Sequence, residues 1–297
     1  MLVIMNPCAG QRQGSKHLCD ILSILQSGGY MPTVLMTEKA GDAARFVHEF
    51  GRNAEVIVCI GGDGTLNEVV TGMVEAGLKQ PIGYLPAGST NDFAESLGLS
   101  RDILTAARDV ISGKPATYDV GSFEGRCFTY VASFGAFTRT SYSTPQDIKN
   151  ALGHMAYVLS GIYDLTRIFA FPMRVQTDTQ VFEGEYIFGA ISNSTSIGGM
   201  LHYNPEIIDL NDSLLEVLLI RVPANAAELA QLLYALSVQA FEESECIQFV
   251  STTRVQVETR AEVDWSLDGE HEKGKRQVVI NNLHNAIRVI VPDKKEA

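Results

Sequence analysis

Short apolar segments alternate with amphipathic helical segments over the first 122 residues. Three of the apolar segments are LVIM at 2–5, EVIVCI at 55–60 and PIGYLP at 81–86, and a helical pattern follows each of them. This alternation is typical of a parallel sheet with helices on both faces, because a parallel crossover is long enough to hold a helix. We therefore predict an α/β domain with a parallel sheet over residues 1–122.

The chain becomes rich in strand-like segments after residue 122. They include CFTYVASF, LEVLLIRV, RVQVET and EVDWSL, and helical patterns interrupt them near 147–169 and 224–240. This texture favours a second, mostly antiparallel domain over residues 123–283. The last strand-like segment, within residues 284–297, could return to the first domain.

The net charge and the cysteine pattern exclude several classes of protein. The formal net charge is −12, which argues against nucleic-acid binding because such proteins carry basic surfaces. The five cysteines are scattered without a CxxC pair, so we expect free thiols in a cytoplasmic protein. The sequence shows neither an apolar run long enough to span a bilayer nor a signal peptide. We therefore expect any membrane contact to be local and peripheral, at the inner membrane face.

The stretch GGDG at residues 61–64 is the first candidate functional motif. It follows an apolar run and precedes apolar residues at helical spacing, so it lies where a strand ends and a helix begins. Glycines there permit unusual backbone angles and let a ligand approach main-chain N–H groups, and a helix N-terminus favours anionic oxygens. Asp63 would then hold Mg²⁺ or orient a phosphate or ribose. The alternative is a tight turn in which Asp63 only caps the helix.

Three further loops, rich in small residues and amides, follow other strands of the predicted sheet. They are NPCAG at 6–10, TEKAGDA at 37–43 and PAGSTND at 86–92. Because α/β proteins bind ligands at the carboxyl ends of their parallel strands, the four loops together predict a nucleotide site. The motifs GxGxxG and GxxxxGK[ST] are both absent, which disfavours a conventional dinucleotide-binding or P-loop enzyme.

These motifs, in their order along the chain, resemble the diacylglycerol kinase catalytic family. NPCAG, GGDGTLNE and PAGSTNDFA in the first half are followed by NDSLLEV and WSLDGE in the second half. The chain is most similar to the soluble bacterial lipid kinases of this family and more distantly similar to sphingosine and ceramide kinases. GGDG alone also occurs in NAD kinases and phosphofructokinases, so the ordered combination carries the resemblance.

The resemblance implies an ATP-dependent kinase that phosphorylates a lipid hydroxyl, most simply that of diacylglycerol to give phosphatidic acid. It implies a nucleotide-binding α/β domain, a β-sandwich-like second domain and an active site in the cleft between them. Asp63 and Asp92 would organise phosphates and Mg²⁺. The residues implied to contact the nucleotide are Asn6, Pro7, Cys8, Ala9, Gly10, Thr37, Gly61, Gly62, Asp63, Gly64, Thr65, Leu66, Asn67, Glu68, Gly88, Ser89, Asn91 and Asp92.

The resemblance also implies functional residues in the second domain. Asp209, Asp212 and Leu214 would bind a structural Mg²⁺, Asp212 through its carboxylate and the other two through the main chain or water. A plain turn acid is the alternative for Asp212. The motif LDGE supplies two candidate catalytic acids, Asp268 and Glu270, which share a face in an extended backbone. The longer reach of Glu270 favours it as the base that accepts the hydroxyl proton; a hairpin turn with solvated acids is the alternative.

Three functions stay open at this point: an ATP:lipid kinase, an enzyme similar to NAD kinase, and a lipid- or nucleotide-binding regulator without turnover. For the kinase, the expected partners are a lipid alcohol and transiently a membrane surface, with a homodimer as an option. Lys273, Lys275 and Arg276 follow LDGE directly. They could face anionic headgroups, or they could be ordinary solvated charges.

Overall fold

The chain divides into two compact units in the computed structural model, which describes residues 1–135, 170–197, 201–202, 208–238 and 240–293. The first unit contains Met1–Val120 and His284–Ala297, and the second contains Gly121–Leu283. This division lies close to the expected boundary after residue 122. The helical pattern near 147–169 lies outside the described residues.

The first unit is built from strands that alternate with helices. Its strands are β1 (Leu2–Met5), β2 (Thr33–Met36), β3 (Ile57–Gly61) and β4 (Pro81–Pro86). Its helices are α1 (Gln13–Lys16), α2 (Leu18–Ser27), α3 (Asp42–Phe50), α4 (Asp63–Glu75), α5 (Asp92–Ser96) and α6 (Ile103–Ser112). A 3₁₀ turn at Gly51–Asn53 follows α3.

The second unit is built mainly from strands, and two strands continue from one unit into the other. The strands are β5 (Lys114–Phe123), β6 (Arg126–Phe128), β7 (Val131–Gly135), β8 (Phe171–Gln176), β9 (Val181–Ser192), β10 (Ser196–Ile197), β11 (Leu201–His202), β12 (Leu215–Arg221), β13 (Ile247–Thr252), β14 (Arg254–Leu267) and β15 (Glu270–Val291). Of these, β5 and β15 cross the boundary between the units. The helix α7 (Ala226–Val238) and a 3₁₀ turn at Phe241–Glu243 lie between β12 and β13.

The strands of the first unit pair in parallel. β1 pairs with β2 and β3, and β4 pairs with β3 and with the end of β15, all in parallel. The register aligns Met5 with Met36 and Ile60, and it aligns Gly61 with Pro86. The first four strands therefore end at the same edge, so the loops that follow them leave the sheet side by side.

The segment after LVIM, whose apolar spacing predicts one helix from Ser15 to Gln26, forms two helices. α1 ends at Lys16 and α2 begins at Leu18, because His17 adopts φ −108° and ψ 14° outside the helical region. The apolar periodicity could not show this interruption, since one non-helical residue barely changes the spacing of the apolar side chains on either side.

The strands of the second unit pair antiparallel, in the order β13-β12-β9-β7-β14-β15, and β8 lies beside both β9 and β14. The segments RVQVET and EVDWSL, expected as separate strands, belong to the single strand β14. Its pairing with β15 shifts between Glu258 and Val263. Such a bulge bends a strand locally and lets it continue.

Strand β12 is buried on both of its faces. Leu215, Val217 and Leu219 belong to one buried cluster, while Leu218 and Ile220 belong to another. Burial of both faces explains why its sequence shows a continuous apolar run rather than alternation. Among the helices of the described residues, we find none with both the length and the apolar character that crossing a bilayer requires.

Candidate functional site

The loop after β1 is joined to the start of α4 by a side-chain amide. Asn6 Nδ2 donates to Thr65 Oγ1 at 3.3 Å, and Asn6 Oδ1 accepts from the Cys8 N–H at 2.9 Å. The same residue therefore shapes its own loop and fixes that loop to the GGDG segment. Two of the loops predicted to bind the nucleotide are thus held side by side in the first unit.

The glycines of the GGDG segment allow close packing of two loops. A Cβ atom on Gly88 would stand 2.6 Å from Gly62 Cα, and one on Gly62 would stand 3.2 Å from Gly88 Cα. Neither Gly61, Gly62 nor Gly64 has a positive φ, and Gly62 is extended with φ −92° and ψ −174°. The prediction of unusual backbone angles here is wrong, because the missing side chains make room for the neighbouring loop.

Gly10 differs from these glycines because both its backbone angle and the lack of space around it require a glycine. Its φ is +48°, and a Cβ atom there would collide with the carbonyl oxygen of Ala87. The loop after β4 therefore approaches the loops after β1 and β3 through backbone atoms. Loops with so few side chains at helix starts let anionic oxygens approach main-chain N–H groups.

Asp63 and Asp92 lie together at the starts of two helices. Asp63 is the first residue of α4 and Asp92 the first of α5. Asp63 Oδ2 accepts a hydrogen bond from the Asp92 N–H at 3.2 Å, and Asp92 is 3% exposed. Two carboxylates at this edge are the donor type that Mg²⁺ prefers, so the residues present fit a magnesium–phosphate group.

Two other predicted contact residues already have partners within the loops. Asn91 has φ 55°, its Oδ1 accepts from the Gly88 N–H at 3.0 Å, and its Nδ2 donates to the Gly88 carbonyl at 3.0 Å. Glu68 accepts from the N–H groups of Gly41 at 2.8 Å and Ala43 at 3.0 Å, at the start of α3. Both side chains fix the shape of the loops around the expected nucleotide.

The remaining residues of the first unit that were predicted to contact the nucleotide differ in their burial and position. Leu66 is fully buried and its N–H donates to the Gly62 carbonyl at 3.1 Å, so its side chain packs in the interior. Thr37 lies after β2, where its N–H donates to the Met5 carbonyl at 2.9 Å. The others lie in or beside the three loops: Pro7, Cys8, Ala9, Gly64, Asn67 and Ser89.

The LDGE segment of the second unit is a two-residue hairpin turn. Leu267 at the end of β14 pairs with Glu270 at the start of β15, while Asp268 has φ 50° and Gly269 has φ 85°. Asp-Gly is the preferred sequence for a turn with two positive φ angles. The expectation that Asp268 and Glu270 share one face of an extended strand is therefore wrong, because the turn lies between their side chains.

Asp268 is a buried anchor, contrary to the alternative of a solvated turn acid. Its Oδ2 accepts from Thr129 N–H at 2.6 Å and from Thr129 Oγ1 at 2.9 Å. Its Oδ1 accepts from the N–H groups of Tyr130 and Val131, both at 3.0 Å. The carboxylate thus fixes the segment between β6 and β7 to the hairpin.

Glu270 is exposed and takes part in an ion-pair network. Arg126 donates to Glu270 Oε2 at 2.6 Å and to Glu272 Oε2 at 2.7 Å. Arg126 and Glu272 were not identified from the sequence. No local signal pointed to them, because Arg126 is 144 positions away from Glu270.

The turn that contains Asp209, Asp212 and Leu214 leads directly into β12. Asp209 Oδ1 accepts from the Asn211 N–H at 3.0 Å, and Asp212 Oδ1 accepts from the Leu214 N–H at 2.9 Å. No group of three or more His, Cys, Asp or Glu side chains that could hold a metal occurs within the described part of the chain. Further ligands would therefore be main-chain, hydroxyl, amide or water oxygens.

One buried acid beside this turn supports a cation there. Glu216 is 2% exposed, and burial together with the charge of Asp212 raises its pKa to about 8. Its Oε2 has no hydrogen-bond partner among the described residues. A buried carboxylate oxygen without a partner, next to a second carboxylate, fits a divalent cation.

Comparison with known families matches both parts of the chain. Residues 1–123 match the family model described as diacylglycerol kinase catalytic domain. Residues 131–291 match the model described as YegS C-terminal NAD kinase beta sandwich-like domain. The two matches follow the order of the two units along the chain.

Comparison with individual proteins extends over almost the whole chain. The diacylglycerol kinase of Bacillus subtilis (strain 168) is 32% identical over 296 residues, covering 99% of this chain and 96% of that protein. The diacylglycerol kinase of Staphylococcus saprophyticus is 30% identical over 292 residues, covering 98% of this chain and 95% of its own. A solved structure from Bacillus anthracis str. Sterne, described as a candidate diacylglycerol kinase, superposes on this chain with a TM-score of 0.81 at 26% identity. The match covers 98% of this chain and 95% of the chain in that structure.

Proposed function

The chain belongs to the diacylglycerol kinase family of ATP-dependent lipid kinases, and from this premise we propose that it phosphorylates the free hydroxyl of diacylglycerol to give phosphatidic acid. The observation that carries the proposal is the similarity to the Bacillus subtilis kinase, which extends over 96% of that protein. ATP is the cosubstrate that the family implies.

The nucleotide is held by the three loops of the first unit in this proposal. Main-chain N–H groups at the start of α4 would bind phosphate oxygens, and the close packing of Gly62 against Gly88 keeps the loops in position. Asp63 and Asp92 are the residues that would hold Mg²⁺. When bound, Mg²⁺ neutralises charge on the transferring phosphoryl group.

We assign the role of base to Glu270 and the role of a positioning residue to Asp268. The lipid hydroxyl oxygen attacks the γ-phosphorus, the bond from that phosphorus to the β–γ bridging oxygen breaks, and ADP leaves while the hydroxyl proton passes to Glu270. Asp268 already accepts four hydrogen bonds, so it is poorly suited to accept a proton. The ion pair of Glu270 with Arg126 uses Oε2 and leaves Oε1 for the hydroxyl. The cleft expected between the two domains stays a prediction.

One assay separates this function from its alternatives. Radiolabelled γ-phosphate ATP is offered with diacylglycerol in mixed micelles, and in parallel with NAD, since the second family model mentions NAD kinase. We expect label in the organic phase and none in NADP. Label in NADP alone would support the second function, and label in neither product would support a regulator without turnover.

The role of Glu270 has its own test. Glu270→Gln is expected to lose lipid phosphorylation by roughly 10²-fold, the scale of general base catalysis, while ATP binding measured by calorimetry stays unchanged. Glu262→Gln, an exposed acid on β14, is the matched control and should keep full activity. Wild-type turnover in Glu270→Gln would place the base elsewhere.

The proposal also includes transient contact with an anionic membrane surface. Lys273 and Arg276 are exposed on β15, whereas Lys275 is half-buried with its Nζ 5.7 Å from the ring centre of Phe123. These charges therefore project from a strand and not from a turn. Replacing Lys273 and Arg276 by Gln should weaken cosedimentation with phosphatidylglycerol vesicles, and unchanged binding would contradict the proposal. A homodimer and the lack of nucleic-acid binding stay predictions.

A further inference from the structure

Strand β12 carries one acidic residue on a face that is otherwise apolar. Glu216 alternates with Leu218 and Ile220, so the three side chains leave the strand on the same side. The two apolar residues pack in a buried cluster. Ser192 on β9 stands directly opposite Glu216 in the antiparallel register, so their side chains are neighbours on this face.

Both polar side chains are buried without full hydrogen bonding. Glu216 is 2% exposed and Ser192 is 0% exposed. Glu216 Oε2 and Ser192 Oγ each lack a hydrogen-bond partner within the described part of the chain. A buried carboxylate in this condition is unfavourable unless a positive charge accompanies it.

The turn before β12 is joined to the end of β9, where Ser192 lies. Ile208, directly before the turn, packs in the same buried cluster as the face of β12 that carries Glu216. Asn193, which follows Ser192, donates from Nδ2 to the Leu210 carbonyl at 3.3 Å. The turn with the expected cation ligands is therefore joined, through Leu210, to the residue that follows Ser192.

The turn carries further oxygen atoms of the kind that bind cations. Asn211 Oδ1 is buried and has no hydrogen-bond partner among the residues described, and the next residue, Asp212, supplies a carboxylate. Carboxylate, hydroxyl and amide oxygens together are the ligand set of a hard divalent cation such as Mg²⁺ or Ca²⁺.

We propose that Glu216 and Ser192 complete the divalent-cation site expected at Asp209, Asp212 and Leu214, and that the cation stabilises the second unit by neutralising a buried carboxylate. This inference rests on the proposed cation site and adds two residues that the family resemblance did not supply. It also assigns the cation a role in folding that is separate from phosphoryl transfer.

Thermal unfolding without nucleotide tests the inference independently of kinase activity. The protein is stripped with EDTA and compared with protein containing MgCl₂, CaCl₂ or MnCl₂. We expect the wild type to gain at least ~5 °C in Tm when the cation is present at about 100 times its Kd. Glu216→Gln should lose most of this gain, and in EDTA it should unfold at about the same temperature as the wild type, because Gln keeps the shape of the side chain and needs no cation.

Matched variants keep the test decisive. Glu183→Gln changes an exposed acid on β9 and should keep the full gain, and an Asp63→Asn background should keep it too, which separates this site from the nucleotide site. Ser192→Ala should weaken cation affinity if Glu216→Gln does not fold. The inference is wrong if Glu216→Gln keeps the full gain, or if the wild type gains nothing from any of the three cations. A lack of kinase activity with an intact thermal response would instead refute only the proposed function.

Discussion

The GGDG loop at 61–64 and the LDGE turn at 267–270 both place an aspartate directly before a glycine, yet they fold for different reasons. In the loop, none of the glycines has a positive φ, and close packing against Gly88 requires the missing side chains. In the turn, Asp268 and Gly269 both have positive φ, and the added Cβ of Gly269 would meet only Tyr130 Oη at 3.7 Å. The first motif is constrained by its neighbours and the second by its own backbone.

Asp63 and Asp268 differ in the partners that their side chains contact. Asp63 begins a helix and meets the backbone of Asp92, whereas Asp268 holds four donors from the segment between β6 and β7. An acid beside another acid at a helix start is suited to metal and phosphate. An acid surrounded by backbone N–H groups is suited to fixing structure.

The largest expected effect is on activity and comes from Asp63. Asp63→Asn keeps the shape of the side chain but removes the charge, so we expect lipid phosphorylation to fall by about 10³-fold with little change in stability. Radiolabel transfer and urea unfolding measure the two properties. Glu75→Gln, at the far end of the same helix, is the control, and near-normal activity in Asp63→Asn would remove this loop from the proposed site.

A substitution of Asp268 is expected to act mainly on stability. Asp268→Asn replaces an oxygen that accepts backbone hydrogen bonds with a donor, so the free energy of unfolding should fall by roughly 3 kcal/mol. Urea unfolding measures this fall, and Glu270→Gln should leave stability unchanged because Glu270 is exposed. Equal stability of the Asp268→Asn variant and the wild type would show that the four hydrogen bonds do not hold the hairpin.

Substitutions of Gly269 and Gly88 are expected to have the smallest effects on stability, and they compare the turn and the loop directly. Asn tolerates positive φ, so Gly269→Asn should cost less than about 1 kcal/mol of unfolding free energy. The same substitution at Gly88 places atoms against Gly62, so Gly88→Asn should cost about 2 kcal/mol and weaken ATP binding. If Gly269→Asn proves the more damaging of the two, the distinction between the loops is wrong.

The sequence was informative where one strand and its following loop carry the signal. The apolar runs and the loops at 6–10, 61–64 and 86–92 identified the strand ends that the structure brings to one edge. The periodicity also located helix α7 within the pattern expected near 224–240. These features depend on residues that are close together in the chain.

The sequence was uninformative where function depends on distant partners. Glu68 stays a predicted nucleotide contact, but the sequence did not show that it also accepts hydrogen bonds at the start of α3, 25 and 27 positions away. Arg126 contacts Glu270 from a different strand, and no spacing pattern in the sequence predicts that contact. Asp268 and Glu270 were assigned to one face because residues two apart share a face in an extended backbone. The backbone is not extended there, since Asp268 and Gly269 form a turn with positive φ.

The long strand β15 has a consequence for how the protein is made. Its final part pairs with β4, with Arg288 opposite Pro81 and Val289 opposite Ile82, and Lys79 donates to the Asn285 carbonyl across 206 positions of sequence. As the ribosome releases the chain, β4 emerges long before the strand that covers its outer edge. An uncovered strand edge invites pairing with other chains, and contacts this distant in sequence slow folding. A nascent chain that stalls before His284 would therefore be a substrate for chaperones, although it already contains every loop assigned to ATP.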